Sequence, residues 1–249
     1  MTRDNRAWAA GVQTALRLVY PPLCLACGGP VSDEWGLCPA CWRDTGFIGG
    51  LVCDACGVPL PGDDPGEPVL CDGCMAHPRP WAQGRAALFY EGTGRRLVLS
   101  LKHGDRHEIA RPAGKWLAAA ARPLLREGAL VAPVPLHWRR LLRRRFNQSA
   151  LLARAAAAEL GCAHVPDLLQ RARRTPVLDG LGREARFAAL EGALRVAPRH
   201  LGRIAGRPVL LVDDVMTSGA TLEEAARACR AAGAGEICVL ALARVANRA

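Results

Sequence analysis

Beyond residue 82, short apolar runs alternate with stretches whose apolar residues recur at helical spacing. Continuous apolar runs of roughly four to eight residues predict buried strands, whereas apolar positions every three or four residues predict helices packed on one face. Because strands and helices alternate, the predicted fold class is α/β, with a mainly parallel sheet and flanking helices. Strands are predicted at 86–91, 130–136, 209–212 and 236–243, and helices at 93–103, 108–126, 147–160 and after 219.

The apolar stretch between residues 8 and 20 follows two arginines, as the apolar core of a secretory signal would. However, Trp8, Val12, Leu16 and Val19 recur at helical spacing, and no small-residue cleavage site precedes the prolines at 21–22. We therefore predict a short amphipathic helix packed on the body of the protein. Since no run reaches the roughly 18 apolar residues of a membrane span, we expect a cytoplasmic protein.

Eight of the eleven cysteines form four C-x-x-C pairs, separated by 10, 11 and 14 residues. Two such pairs supply the four thiolates of a tetrahedral zinc site, which leaves no open position for catalysis. We predict two structural zinc ions held by consecutive pairs, as in a double zinc ribbon. A cross-braced pairing is an alternative, as are disulfide or redox pairs. The first predicted site comprises Cys24, Cys27, Cys38 and Cys41, and the second comprises Cys53, Cys56, Cys71 and Cys74.

Charge divides the chain into two regions. Residues 1–82 carry five Lys/Arg against nine Asp/Glu, a net charge of −4, whereas residues 83–249 have a net charge of +14. The Pro78-Arg79-Pro80 sequence is typical of a linker, so we predict an N-terminal helix and double zinc ribbon at 1–80 and an α/β domain at 83–249. A basic domain suits a polyanionic ligand such as pyrophosphate or nucleic acid, although a solvated arginine-rich surface gives the same count.

Residues 209–221 combine a predicted strand with a group of polar residues that directly follows it. Four apolar residues precede the adjacent carboxylates Asp213 and Asp214, and a Thr/Ser/Gly loop then leads into an alanine-rich helix. In open α/β sheets, ligands bind beyond the carboxyl ends of strands, and N–H groups at a helix N-terminus attract phosphate. Carboxylates bind sugar hydroxyls or Mg²⁺. This stretch therefore predicts a ribose-phosphate site; the alternative is a buried strand leading into a capped helix without a ligand.

The same stretch resembles the signature with which type I phosphoribosyltransferases bind 5-phosphoribosyl 1-pyrophosphate (PRPP). The resemblance implies that Asp213 and Asp214 are catalytic residues that hold the 2′- and 3′-hydroxyls, with Mg²⁺ accompanying PRPP. It also implies that the loop wraps the 5′-phosphate through Thr217, Ser218, Gly219, Ala220 and Thr221.

Basic segments elsewhere offer partners for the pyrophosphate. Arginines cluster at 139–145, just before Asn147, a natural helix N-cap, and Lys102 lies near the end of a predicted helix. Arginine and lysine neutralise diphosphates, and the resemblance implies that Lys102, Arg140 and Arg144 are the residues that bind PRPP. Residues 170–190 are basic and irregular, which favours a mobile loop closing over a charged ligand. Solvated basic faces are the alternative for all these segments.

Taken in order, the motifs resemble the ComF family over roughly residues 20–245. They are four cysteine pairs, a Phe-Tyr strand end, Leu-Lys-x-Gly-Asp, Pro-Val-Pro-Leu-His, spaced arginines ending in Phe-Asn-Gln, and the PRPP signature. The resemblance implies a zinc protein with a phosphoribosyltransferase fold, linked in competent bacteria to incoming single-stranded DNA. Transfer of ribosyl phosphate to an unknown acceptor is the expected activity. The alternative is a non-catalytic protein that binds single-stranded DNA or docks a partner such as a competence helicase.

The chain departs from the family pattern at three positions. Leu178 stands where the family usually has glutamine, Ala189 where it usually has asparagine, and Arg145 where a glycine usually precedes Phe-Asn-Gln. The PRPP signature is unchanged, so these departures bear on the acceptor rather than on PRPP.

Overall fold

The computed structural model describes residues 21–103, 106–136, 146–175, 180 and 182–245. The predicted N-terminal helix lies outside these ranges, as do Arg140, Arg144 and Leu178. The helices are α1 (Pro39–Asp44), α2 (Asp72–Ala76), α3 (Gly92–His103), α4 (Ala110–Ala121), α5 (Gln148–Leu160), α6 (Arg183–Leu190), α7 (Leu201–Ile204) and α8 (Ala220–Ala231). The strands are β1 (Gln83–Phe89), β2 (Leu130–Pro133), β3 (Ala163–His164), β4 (Leu169–Arg171), β5 (Leu194–Val196), β6 (Val209–Met216) and β7 (Ile237–Arg244).

Five strands form one parallel sheet in the order β1-β7-β6-β2-β3. The central strand β7 is apolar and buried along nearly its whole length, as expected for a parallel strand covered on both faces. Strands β4 and β5 form a separate antiparallel hairpin. This architecture confirms the predicted α/β class with a mainly parallel sheet and flanking helices.

Alternate residues of β6 face two different layers of the core. Leu210 and Val212 pack with α3, α4 and α5 on one face of the sheet. Val209 and Leu211 pack on the other face with α8, the β4–β5 hairpin, Trp81 and cysteines of the second predicted zinc site. The second cysteine module therefore completes one of the two layers that cover the sheet.

The sequence predicts the ends of a helix accurately where capping residues mark them. Helix α5 confirms the prediction for 147–160, because the Asn147 side chain accepts from Ser149 N–H and Gly161 ends the helix in the left-handed conformation. The helix predicted at 108–126 is shorter, since single 3-10 turns flank α4 on both sides and Pro123 has no N–H to continue it. Among the described residues, no helix is both long enough and apolar enough to cross a membrane.

The irregular loop predicted for 170–190 is wrong in part. Strand β4 ends at Arg171 and helix α6 occupies Arg183–Leu190. The helix has a tertiary cause, because Phe187 and Leu190 pack against Ala220 at the start of α8. An apolar pair three residues apart gives α6 one buried face, and this outweighs its polar composition.

Candidate ligand site and metal centres

The order of strands along the chain reverses between β2 and β6. From β2 the sheet continues to β3 on one side, and from β6 it continues to β7 on the other. Such a reversal opens a crevice at the carboxyl ends of neighbouring strands, where ligands bind in open α/β sheets. Strand β2 pairs with β6 only as far as Pro133 opposite Val212. The next residues of β6, Asp213 and Asp214, therefore lie beside this crevice.

The two aspartates lie within the strand rather than after its end. Strand β6 continues four residues beyond the predicted 209–212, because its pairing with β7 extends to Met216. Beyond Val212, pairing with β7 holds the backbone of β6 extended on one side. The other side, toward β2, is open. The strand thus presents both carboxylates from a rigid element.

The two carboxylates have different partners. Oδ1 of Asp213 accepts from Ser149 Oγ of α5 at 2.9 Å and from the backbone N–H of Asp214 at 2.8 Å. Oδ1 of Asp214 pairs with Lys102 Nζ of α3 at 3.1 Å, and their side chains are only 14% and 20% exposed. Three of the predicted site residues, Lys102, Asp213 and Asp214, are therefore together in the structure.

The pKa of Asp213 lies well above its ordinary value. Burial, and then the neighbouring charge of Asp214, raises the pKa of Asp213 to about 7. The Asp214 N–H and the Ser149 hydroxyl act in the opposite direction by hydrogen-bonding the carboxylate. A carboxyl group with such a pKa exchanges its proton near neutral pH, which is the property required of a general base or acid.

The loop 217–221 connects β6 to α8. Gly219 adopts φ 83°, in the left-handed region that favours glycine, and as the N-cap residue it has no side chain to cap the helix, while Ala220 N–H donates to Ser218 Oγ at 3.4 Å. Thr217 is exposed, and Ser218 and Thr221 are partly exposed. Because α8 has twelve residues, its first N–H groups and its positive dipole end form a favourable environment for an anion. The loop therefore offers hydroxyl and N–H donors of the kind that bind phosphate.

Two polar residues at this site were missed by the sequence analysis. Ser149 contacts Asp213, and Arg186 of α6 donates from Nη1 to Thr217 Oγ1 at 3.2 Å. Ser149 follows the predicted N-cap by two positions, but no local signal places it beside a residue 64 positions further along the chain. Only the tertiary fold reveals either contact.

Arg140 and Arg144 lie outside the described residues, so their predicted contact with PRPP stays a prediction. The two ends of the segment that contains them are joined, because Asn147 Nδ2 donates to Val134 O at 3.0 Å. Gln148, which follows Asn147, is buried and donates from Nε2 to Lys102 O at 3.5 Å. Val134 and the start of α5 therefore lie together beside the crevice.

The eight paired cysteines form two clusters, which we call the first tetrad and the second tetrad. All eleven cysteines are free thiols, and within each tetrad the sulfur atoms lie within 4.8 Å of one another. The structure thus has the consecutive pairing and neither the cross-braced nor the disulfide alternative. The first tetrad comprises Cys24, Cys27, Cys38 and Cys41, and the second comprises Cys53, Cys56, Cys71 and Cys74.

The sulfur geometry fits zinc. Cys27 Sγ and Cys38 Sγ are 3.8 Å apart, as are Cys56 Sγ and Cys71 Sγ. A tetrahedral zinc ion with Zn–S bonds of about 2.3 Å requires sulfurs about 3.8 Å apart. The Cys53 thiol, and more weakly the Arg244 guanidinium, lower the pKa of Cys56 to about 4, which favours the thiolate that a metal needs.

Each tetrad uses the tight turn expected of a zinc knuckle. In the second tetrad, Gly57 N–H donates to Cys53 O at 2.8 Å, and Gly57 has φ 66°. A Cβ at this position would lie 2.9 Å from the Cα of Arg85 in β1. Glycine is therefore required both by the turn and by the close packing of the turn on the sheet.

The fold and the two metal centres define a class: a phosphoribosyltransferase-like α/β protein with a double zinc ribbon. The family model for the double zinc ribbon domain matches residues 15–83, and that for the phosphoribosyl transferase domain matches residues 147–249. Both matches agree with the sequence prediction and with the geometry described above.

Relatives align with almost the whole chain. DNA utilization protein YhgH is 34% identical over 234 residues in Salmonella typhi and 31% identical over 233 residues in Escherichia coli K12, each covering 91% of this chain and 99% of the relative. Competence protein F of Haemophilus influenzae is 28% identical, covering 89% of this chain and 96% of the relative. The chain therefore belongs to the ComF family, as the sequence predicts.

A comparison with solved structures matches part of the chain to glutamine PRPP amidotransferase from B. subtilis, complexed with ADP and GMP. Its TM-score is 0.40 at 19% identity, over 58% of this chain and 30% of that chain. An allosteric regulatory enzyme of purine biosynthesis gives a TM-score of 0.38 at 20% identity over the same shares. The chain thus spans about a third of the length of these two proteins.

Proposed function

We propose that this protein binds PRPP at the crevice between β2 and β6 and transfers its ribosyl phosphate to a nucleophile. The convergence of Lys102, Ser149 and the Asp213–Asp214 pair at the strand reversal carries the proposal. In the proposed complex, the two carboxylates accept hydrogen bonds from the ribose 2′- and 3′-hydroxyls. The 5′-phosphate is held by loop 217–221 and the start of α8.

In the proposed reaction, the bond between ribose C1 and pyrophosphate breaks and pyrophosphate leaves with the electron pair. The nucleophile forms the new bond to C1 and gives up its proton, for which Asp213 is the acceptor. Since positive charge develops on the sugar, catalysis depends on positioning and on neutralising the leaving group. Lys102, with Arg140 and Arg144, supplies positive charge to the pyrophosphate. Asp213 and Asp214 would also be the residues to hold Mg²⁺ accompanying PRPP, and the ion would neutralise further negative charge.

We further propose that this activity serves the handling of incoming DNA. Relatives aligned over nearly their full length are named DNA utilization protein and Competence protein F. The acceptor is a separate question, because Leu178 and Ala189 depart from the family pattern while the PRPP signature does not. Pyrophosphate release in the presence of single-stranded DNA, nucleosides or amines would identify the acceptor class.

Calorimetric titration of PRPP with Mg²⁺ into the zinc-loaded protein tests the proposal. The wild type should bind, and Asp214→Ala should lose binding because it removes a hydroxyl acceptor from the ribose site. Asp167→Ala is the matched control, since Asp167 pairs with Arg199 and His200 and with none of the site residues that the structure describes. Unchanged affinity in Asp214→Ala would exclude the assigned site.

Single-strand DNA binding without turnover is the second candidate. Residues 83–249 have a net charge of +14, and cationic grooves that follow a phosphate backbone are a common form of single-strand site. Binding should weaken steeply as salt rises, since counterions are released with each phosphate contacted. A flat salt profile would count against this candidate.

Docking of a partner protein, such as a competence helicase, is a third proposal. Residues 1–82 have a net charge of −4, and the large apolar side chains of Leu23 and Trp42 are about half exposed. Apolar residues in an acidic surface suit a partner with a basic rim. Capture of a purified helicase by the zinc-loaded protein, compared with Trp42→Ala, would test this proposal.

A further inference from the structure

Two arginines, Arg79 and Arg244, lie between the second tetrad and the loop 217–221. Nη2 of Arg244 donates to Cys56 Sγ at 3.8 Å. Its Nη1 donates to the carbonyl oxygens of Met216 at 3.0 Å and Thr217 at 2.6 Å. A single guanidinium therefore contacts a predicted zinc ligand and the backbone at the start of loop 217–221, which we call the phosphate loop.

Arg79 makes a second bridge between the same two regions. Its Nη1 donates to Ser218 O at 3.1 Å and lies 3.5 Å from Glu223 Oε2 in α8. Its guanidinium also lies beside the side chain of Cys74 and over the Trp81 ring. The loop carbonyls from 216 to 218 are thus held by two arginines that also touch the second tetrad.

The Arg79 guanidinium is shielded from water, and Arg244 is partly buried. The Arg79 side chain is 4% exposed, and the Nε atoms of Arg79 and Arg244 are buried with no hydrogen-bond partner among the described residues. A buried arginine is costly unless a nearby anion compensates its charge. Glu223 compensates the charge of Arg79 in part, and four thiolates around Zn²⁺, with a net charge of about −2, supply the remaining compensation and that for Arg244.

We propose that Arg79 and Arg244 are positioning residues that couple zinc occupancy of the second tetrad to the conformation of the phosphate loop. With zinc bound, the thiolate charge fixes both guanidiniums, and their donors fix the carbonyl groups of residues 216–218. The loop N–H groups then remain available to a phosphate. The described residues of the first tetrad make no such arginine bridge to the loop. The inference rests on the proposed function for the identity of its ligand, a ribose phosphate.

A coupling of this kind is reciprocal, because each ligand changes the affinity of the other by the same factor. Zinc in the second tetrad should strengthen binding of ribose 5-phosphate, and ribose 5-phosphate should strengthen binding of zinc. Couplings between two sites typically amount to about 5–150-fold, and we expect a factor on the order of tenfold here.

The test uses the full chain, with ribose 5-phosphate as the probe. Zinc affinity is measured by equilibrium competition with a chromogenic chelator, with and without the probe, in the wild type, Arg244→Gln and Arg96→Gln. Arg96 is the matched control, because it makes an exposed pair with Asp44 beside the first tetrad. The probe should tighten zinc binding in the wild type and in Arg96→Gln. In Arg244→Gln, both tetrads should still fill with zinc, and this linkage should fall well below the wild-type value, because only Arg79 remains to carry it.

Equal linkage in the wild type and Arg244→Gln would overturn the coupling. Hydrogen exchange of the loop amides gives a second readout that needs no phosphate ligand. Exchange at 216–221 should accelerate when the second tetrad loses zinc in Cys56→Ser, but not when the first loses it in Cys27→Ser. Exchange that is the same in both variants would overturn the coupling. Zinc-dependent exchange in a protein that binds neither PRPP nor ribose 5-phosphate would support the coupling and overturn the proposed function.

Discussion

The first tetrad packs beside α3 through a small apolar cluster, whereas the second tetrad lies in the core beneath the central sheet. Cys27 is exposed, and the cluster near the first tetrad comprises Leu25, Leu97 and Ile109. Cys53, by contrast, is fully buried and belongs to the cluster that contains Trp81 and the residues of β6. Two cysteine tetrads of the same type therefore differ in role. The first attaches its module to α3, whereas the second forms part of the α/β core.

Each cysteine module is also tied to the α/β domain by one aspartate. Asp44, near the first tetrad, accepts from Thr93 Oγ1 at 2.6 Å and from Arg96 Nη2 at 3.0 Å, and its side chain is about half exposed. Asp54, in the second, accepts from Arg85 Nη2 at 2.7 Å and is 17% exposed. Helix α3, which packs beside the first module, carries Lys102 in its last turn. The second tetrad is linked to the phosphate loop through Arg244. The two modules thus support opposite ends of the proposed PRPP site.

Removing one ligand from each tetrad should give the largest difference between them. Cys53→Ser is expected to destabilise the whole domain by several kcal/mol, lowering the Tm by about 10 °C for a chain of this size. Cys27→Ser should leave the main transition nearly unchanged, because its site is peripheral. Thermal unfolding followed by circular dichroism measures both. Equal losses in the two variants would mean that the tetrads are equally integrated.

Lys102→Ala should sharpen the distinction between the two ends of the site. The variant removes a cation predicted to contact pyrophosphate, and a hydrogen bond to a charged group contributes about 1.5–3 kcal/mol. Affinity for PRPP should therefore fall by roughly 10–100-fold, whereas affinity for ribose 5-phosphate should change little. Calorimetry with both ligands separates these outcomes. Equal losses for the two ligands would place Lys102 at the ribose or its phosphate instead.

The two anchoring aspartates offer a matched pair of substitutions. Asp54→Ala removes a largely buried charged hydrogen bond and leaves Arg85 without its carboxylate partner, which should cost about 1.5–3 kcal/mol of unfolding free energy. Asp44→Ala breaks a more exposed interaction and should cost less. Chemical denaturation of both variants gives the comparison. A larger loss in Asp44→Ala would contradict the view that the first module is only attached.

The pH dependence of binding should depend on Asp213, which lies between the two ends of the site. Its pKa of about 7 is above the ordinary value of 3.8, so the carboxylate that accepts a ribose hydroxyl forms only as pH rises through about 7. PRPP affinity should rise a few-fold from pH 6 to pH 8 in the wild type. Asp213→Asn should flatten this rise while leaving the contribution from the ligand phosphates. Parallel profiles would show that Asp213 does not titrate on binding.

Local patterns were sufficient for much of the fold and part of the site. Cysteine spacing predicted both tetrads, and the strand–loop–helix pattern at 209–221 predicted β6, the loop and α8. Asn147 and Gly161 marked the ends of α5. Each of these signals lies within a few consecutive residues, where spacing and capping chemistry determine the structure.

The contacts that sequence reasoning missed join distant parts of the chain. Arg244 and Cys56 are 188 positions apart, and Arg79 and Ser218 are 139 apart. Arg79 was interpreted as a linker residue because nothing in its neighbourhood indicates a partner. The second tetrad shares a core with the sheet, so contacts cross the predicted boundary between 1–80 and 83–249. That boundary and the cytoplasmic location stay predictions.

A crystal structure of the zinc-loaded protein with PRPP and Mg²⁺ would test the central claim most directly. The account predicts the ribose hydroxyls at Asp213 and Asp214, the 5′-phosphate at loop 217–221, and pyrophosphate at Lys102. It also predicts Arg79 and Arg244 in contact with both the second tetrad and the loop. PRPP bound elsewhere on the protein, with the crevice between β2 and β6 empty, would contradict the account.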